Sequence, residues 1–300
     1  MKRFFLVTSF VALATIGLNA QQKWYNKYKK LLNDNDTVAL KNCISRWEKA
    51  EPKSPDVIAA WYNYYIKCAM TEVLNLSTVK PADGEQYFEL QNDTTKETAG
   101  YLYGQATYDD KLTQLAYAKI DEGIKEFPDR IDLPFGKVHV LLKQGLYDDA
   151  LSELSKVIER SKVNHNQWLW TLNKPITDGK EFLIDTMQDY FNQLIDIQDN
   201  KPAYELNEMM LAAYPEDIRI RSNKASLLGM KGNYAEALPL FASIHKDAPK
   251  DDIVTFNLAM CYEKTGDKKN AIANYQPLVK SKNTDIATAA REALRSLKRK

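Results

Sequence analysis

Apolar residues recur through most of this chain at helical spacing. The run GLYDDALSELSKVI (145–158) reads as one amphipathic helix. At the C-terminus, Ile286, Ala290, Ala293 and Leu297 line one face and Arg291, Arg295 and Lys298 another, which predicts a closing helix. The pattern also repeats. Pro215 and Pro249, Gly232 and Gly266, Ala237 and Ala271, and Phe241 and Tyr275 are each 34 residues apart. The surrounding text runs KASLLGMKGNYAEALPLFASIHKDAP (224–249), then NLAMCYEKTGDKKNAIANYQPLV (257–279). A fixed period of this length predicts stacked helix pairs, because one pair cannot bury its apolar face alone.

These residues carry a resemblance to the tetratricopeptide repeat. From a start at Asp252, Leu258, Ala259, Tyr262, Ala271 and Tyr275 fall at repeat positions 7, 8, 11, 20 and 24. From Ile218, Ala225, Leu228, Ala237, Phe241 and Pro249 fall at 8, 11, 20, 24 and 32; from Ile131, Leu141 and Ala150 fall at 11 and 20. Starts at Gln21 and Ile184 fit more loosely. The resemblance implies an all-α fold, a right-handed α-α superhelix of about five to six helix pairs with two insertions and a C-terminal cap helix. The expected units are 21–54, 55–130, 131–164, 181–217, 218–251 and 252–285, with the cap at 286–300. In the split unit 55–130, the first helix is expected from Pro55 to about Glu72 and the second from Tyr108 to Phe127. Alanine at 8 and 20 lets two helices approach; larger residues at 11 and 24 fill the space between pairs. Pro239 and Pro277 fall inside second helices, where proline costs ~3 kcal/mol, so those helices are expected to bend or start late.

Two insertions interrupt the array. Residues 73–107 contain Tyr87, Phe88, Tyr101 and Tyr103, and residues 165–180 contain Trp168 and Trp170. Insertions in such arrays map to loops on one face, where aromatic residues either plug neighbouring helices or meet a partner. Ahead of the array, Lys2 and Arg3 precede an uncharged run, Phe4–Leu18, and the small-residue site Leu18-Asn19-Ala20. This is the pattern of a cleavable signal peptide, residues 1–20, with cleavage expected between Ala20 and Gln21. No cysteine follows the cleavage point, so a lipoprotein is not expected. The mature chain is expected to be secreted or periplasmic, without a transmembrane segment.

Composition narrows function by exclusion. The 300 residues carry 41 Lys+Arg against 40 Asp+Glu, and loss of Lys2 and Arg3 would take the net charge from +1 to −1. Nucleic-acid binders usually show a basic excess, so no nucleic-acid partner is expected. Cys43, Cys68 and Cys261 are an odd number without a CxxC; a Cys43–Cys68 bridge is left open. The three histidines, His139, His165 and His245, lack metal spacing, and no nucleotide, hydrolase or metalloprotease motif occurs. Asn33-Asp34-Asn35-Asp36 lacks the glycine and distal glutamate of a calcium loop and reads as a turn. No catalytic residue, metal or cofactor is expected.

The resemblance also implies a concave surface lined by positions 2, 5, 9, 12 and 13 of each first helix. Carried over, these are Phe135, His139 and Lys143; Gln188, Asn192 and Asp196; Arg219, Ser222 and Ser226; and Phe256, Met260 and Lys264. Relatives that clamp a C-terminal carboxylate use Lys at 5 with Asn at 9. Here Asn63 and Asn192 stand at 9, but Ala59 and Gln188 stand at 5, so no such clamp is implied. The expectation is a non-enzymatic scaffold binding a protein or peptide in the groove. The alternative is a glycan- or nutrient-binding accessory protein using the Tyr/Trp-rich insertions.

Overall fold

The structure, a computed structural model, describes residues 21–81, 86–195 and 197–299. The expected leader with Ala20, and the groove position Asp196, lie outside the described residues. The chain folds as two compact units. Unit 1 holds the residues up to Leu146 together with Gln167–Ile176; unit 2 holds Tyr147–Asn166 and Thr177 onward. The expected pair 131–164 is therefore divided between them.

Unit 1 contains α1 (21–33), α2 (Thr37–Ala50), α3 (Pro55–Ala69), α4 (Asp110–Glu126) and α5 (Asp132–Lys143). Asp36 and Asp109 cap α2 and α4 by accepting the backbone N–H of Ala39 and Leu112, which satisfies donors that a helix start leaves open. Tyr28, Leu40, Ile44, Trp47, Val57 and Trp61 form one core across α1–α3; Tyr62, Ala116, Ile120, Leu133 and Val140 form another across α3–α5. Gly123 allows α4 to approach α3, since a Cβ there would lie 2.7 Å from Ile58 Cγ2.

The first insertion is a sheet rather than a set of loops. The strands β1 (Met70–Ser77), β2 (Tyr87–Gln91) and β3 (Thr98–Tyr108) pair antiparallel in the order β1-β3-β2. Helix α3 consequently ends at Ala69, short of Glu72, because Met70 turns to extended backbone and the Ala69 carbonyl accepts the Asp109 N–H. The register sets Leu76 and Phe88 on either side of Leu102. Strand alternation puts Leu74 on the same face, and Leu74, Leu76 and Phe88 are each at least 71% exposed. The second insertion forms a short hairpin, β4 (Leu169–Trp170) and β5 (Lys174–Pro175), around a 3-10 turn at Thr171–Asn173. Backbone bonds from Leu169 N–H to the Asp129 carbonyl and from Ile131 N–H to the Leu169 carbonyl fasten it between α4 and α5.

Unit 2 is helical, with α6 (Tyr147–Asn164), α7 (Gly179–Leu194), α8 (Lys201–Ala213), α9 (Ile218–Met230), α10 (Tyr234–Asp247), α11 (Asp252–Lys264), α12 (Lys268–Leu278) and α13 (Thr284–Arg299). The repeat positions carry the packing. Ala225, Ala237, Ala259 and Ala271 are fully buried, with Phe241 and Tyr275 beside them. Gly232 and Gly266 take φ of +81° and +89° in the turns between paired helices, a conformation that costs other residues energy. Asp217 and Asp251, also 34 apart, cap α9 and α11 alike. The face of α13 bearing Ile286, Ala290, Ala293 and Leu297 closes the stack against Tyr275 and Leu278.

Neither proline prevents its helix from forming. Helix α10 starts at Tyr234 and runs past Pro239 to Asp247, since the missing N–H removes a single bond near the helix start. Pro277 is the penultimate residue of α12 and stands where the helix ends. Cys43, Cys68 and Cys261 are free thiols, so no Cys43–Cys68 bridge forms. No described helix is long and apolar enough to cross a membrane.

Candidate functional site

The first helices of the pairs in unit 1, α1, α3 and α5, line a cavity of about 300 Å³. Helix α1 contributes Tyr25, Tyr28 and Lys29; α3 contributes Asp56 and Asn63; α5 contributes Asp132 and Gly136; Thr171 enters from the hairpin. A wider, open concavity of about 680 Å³ borders Gln21, Trp24, Pro52 and Asn173 on the same unit.

Beneath the smaller cavity lies a buried ion cluster. The Arg130 guanidinium is 1% exposed and clamps Asp132 in a fork, Nε to Oδ1 at 2.9 Å and Nη2 to Oδ2 at 2.8 Å. Its Nη2 also donates to Asp56 Oδ1 at 2.8 Å, and Nη1 to Asn173 Oδ1 at 3.0 Å. Asp56 accepts two further bonds, from the Leu172 N–H at 2.9 Å and from Gln21 Nε2 at 2.8 Å. Asp132 Oδ2 additionally accepts from Thr171 Oγ1. Burial opposes the charge of Arg130, but hydrogen bonds and attraction from Asp132 and Asp56 outweigh it and hold the guanidinium above its ordinary range. Asp56 and Asp132 sit in the first turns of α3 and α5, where the helix dipole favours negative charge.

The tyrosines complete the wall. Tyr28 accepts from Asn63 Nδ2 at 3.0 Å, and burial pushes its phenol up to about 12 despite that bond. Tyr62 donates to the Gly136 carbonyl at 2.9 Å, tying α3 to α5. The rings of Tyr25 and Tyr28 are a tilted pair with centroids 6.2 Å apart.

The expected groove residues divide by unit and by burial. In unit 1, Phe135 is 6% and Trp168 2% exposed, so both pack inside, whereas Trp170, His139 and Lys143 reach the surface. Burial, with a smaller push from Lys143, holds the His139 imidazole below its ordinary range. In unit 2, Gln188 exchanges amide hydrogen bonds with Asn223, and donates to the exposed Asn192 at 3.2 Å. Arg219 joins Glu181, Asp185 and Asp217. Ser222, Phe256 and Met260 are half-buried, and Phe256 meets Tyr275 edge-on at 5.4 Å. Sequence reasoning missed Arg130 and the cavity pair Asp56 and Asp132. The signal was present: both aspartates stand at position 2 of their units, a position the resemblance assigns to the concave surface. Among the described residues, no group of three His, Cys, Asp or Glu side chains is placed to hold a metal ion.

A family model described as tetratricopeptide repeat matches residues 230–296, which covers α10 to α13 nearly whole. This part of the chain is similar to the tetratricopeptide repeat. The small position recurs in α9, which precedes the matched stretch, as the buried Ala225, with Leu228 where α11 carries Tyr262. Among solved structures, the chain is similar to a tetratricopeptide repeat protein from Parabacteroides merdae, with 14% identity, a TM-score of 0.42 and coverage of 93% of this chain and 87% of that one. It is similar to the tetratricopeptide repeat protein YrrB, with 16% identity, a TM-score of 0.39 and coverage of 60% and 83%. It is also similar to pilF of Pseudomonas aeruginosa, with 12% identity, a TM-score of 0.36 and coverage of 92% and 98%. No curated protein sequence matches the chain.

Proposed function

We propose that this protein is a non-enzymatic scaffold that holds a protein or peptide segment against the first helices of its repeats, in the cell envelope or outside the cell. The cavity of unit 1 carries this reading. Three successive first helices converge there on aromatic, amide and carboxylate groups, the mixture that fixes an extended segment by packing and by a few oriented hydrogen bonds. In unit 2 the same role falls to Gln188, Asn192, Arg219, Ser222, Phe256 and Met260. Tetratricopeptide repeats generally serve protein interaction. The address rests on the leader pattern of residues 1–20.

Panning a random-peptide display library on the mature chain tests the groove. Enriched peptides should lose at least tenfold in affinity against Tyr25→Ala; a library without enrichment, or peptides indifferent to every first-helix change, overturns the reading. Mass spectrometry of the native protein should find Gln21 as the first residue, in an envelope or medium fraction, and an unprocessed cytosolic chain removes the address. A glycan-binding role keeps one structural support, the 39% exposure of Trp170. It requires saccharide-dependent quenching that a Trp170→Phe variant abolishes.

A further inference from the structure

The cluster under the unit 1 cavity is unbalanced in charge. Two carboxylates, Asp56 and Asp132, face one guanidinium, Arg130, and the Asp56 and Arg130 side chains are 2% and 1% exposed. Such a cluster is not explained by stability alone, because buried ion pairs often contribute no more than apolar residues of equal volume. Asp56 is 2% exposed and accepts three bonds, at Oδ1 from Arg130 and the Leu172 N–H and at Oδ2 from Gln21. Asp132 is not sealed in the same way. Its side chain is 11% exposed on the cavity wall; Oδ2 accepts from Arg130 Nη2 and Thr171 Oγ1, and Oδ1 from Arg130 Nε, which leaves Oδ1 a second lone pair.

The field of the surplus charge reaches the cavity. The Tyr25 phenol is held above its ordinary range, by burial first and then by the Asp56 and Asp132 carboxylates, which Arg130 offsets in part. Among the cavity-lining residues, the one cation is Lys29, an exposed residue of α1 whose charge water screens. The walls around the carboxylate include the rings of Tyr25, Tyr28 and Tyr62. Aromatic rings beside a carboxylate in a partly desolvated cavity favour an organic cation, through ring quadrupoles and charge–charge attraction together.

We infer that the unit 1 cavity is a receptor for a primary ammonium or guanidinium group, presented as a lysine or arginine side chain of the segment lying along α1, α3 and α5. This rests on the groove reading above and adds the chemistry of the occupant. The cation sits against Asp132 and the tyrosine rings and brings the cluster to neutrality.

Calorimetric titration of the mature chain with three probes tests it: butylammonium, a nonapeptide with one central lysine among alanines and glycines, and the same nonapeptide with norleucine in place of lysine. The lysine peptide should bind at least tenfold tighter than the norleucine peptide, and the difference should shrink with added salt. Asp132→Asn should lose that difference. Since it also touches the Arg130 clamp, Lys29→Glu serves as a second variant, at an exposed site, and should tighten the lysine peptide several-fold. Equal binding of the two peptides overturns the cation assignment and leaves the groove reading standing. Binding of butylammonium without either peptide does the reverse. Failure of all three probes, or weakening by Lys29→Glu, overturns the inference.

Discussion

The two units solve the same packing problem with different chemistry. In α9–α12 of unit 2, buried Ala225, Ala237, Ala259 and Ala271 alternate with Phe241 and Tyr275, and each contact repeats after 34 residues. In unit 1 the hairpin buries Trp168 and Leu172 but is also tied to the helices by long-range polar contacts. Arg130 reaches Asp56 across 74 residues, and Asp56 reaches the Leu172 N–H across 116. A repeat fixes its neighbours through local rules, so its stability adds up pair by pair. An ion cluster spanning distant segments is all or nothing, because losing one member leaves the others buried and unmatched.

The largest expected effect breaks that contrast at its centre. Arg130→Met leaves Asp56 and Asp132 buried without a counter-charge and should destabilise by about 3–5 kcal/mol. Hydrogen exchange should accelerate throughout 21–146 and 167–176, while α9–α13 stay protected. Uniform loss of protection along the chain would refute the distinction. Leu258→Ala in α11, at a site 3% exposed, should cost about 2–5 kcal/mol. Its exchange signature should centre on α9 to α13 and leave the Arg130 cluster intact.

A smaller effect appears with pH. Burial pushes the Asp217 carboxyl up, but the Arg219 side-chain bond, its positive charge and the backbone N–H groups of Ile220 and Arg219 outweigh it and hold the group below 3.8. The folded value is the lower one, so this contribution is fully present above pH 3.8 and fades as pH falls through the folded value. Asp217→Asn keeps the cap; its deficit in urea midpoint at pH 7 should vanish in strong acid. A deficit independent of pH would show that packing, not charge, matters there. The smallest effect belongs to the sheet. Leu74 is 75% exposed, so Leu74→Lys should change stability by no more than about 0.5 kcal/mol. A larger loss in thermal melts would mean that its apolar face is covered in solution.

How far the sequence could be read follows the same division. The period exposed the small and aromatic positions of α9–α12, because each repeat states its packing within its own residues. The insertion 73–107 hid its strands, since two helices flank it and its aromatic residues suit packing and strand pairing alike. Phe135 and Trp168 stand at positions or in segments that suggest a surface, yet both are buried.

By itself, the sequence determined the helix pairs, their turns at Gly232 and Gly266 and the closing helix. Each of these is set by propensity, left-handed backbone or an apolar stripe within a few residues. Only the tertiary structure decided that Arg130, Asp56, Asp132 and the Thr171–Asn173 turn meet beneath one cavity. No local rule joins residues so far apart. Their meeting depends on the hairpin folding back between α4 and α5, where excluded water makes each charge answerable to the others.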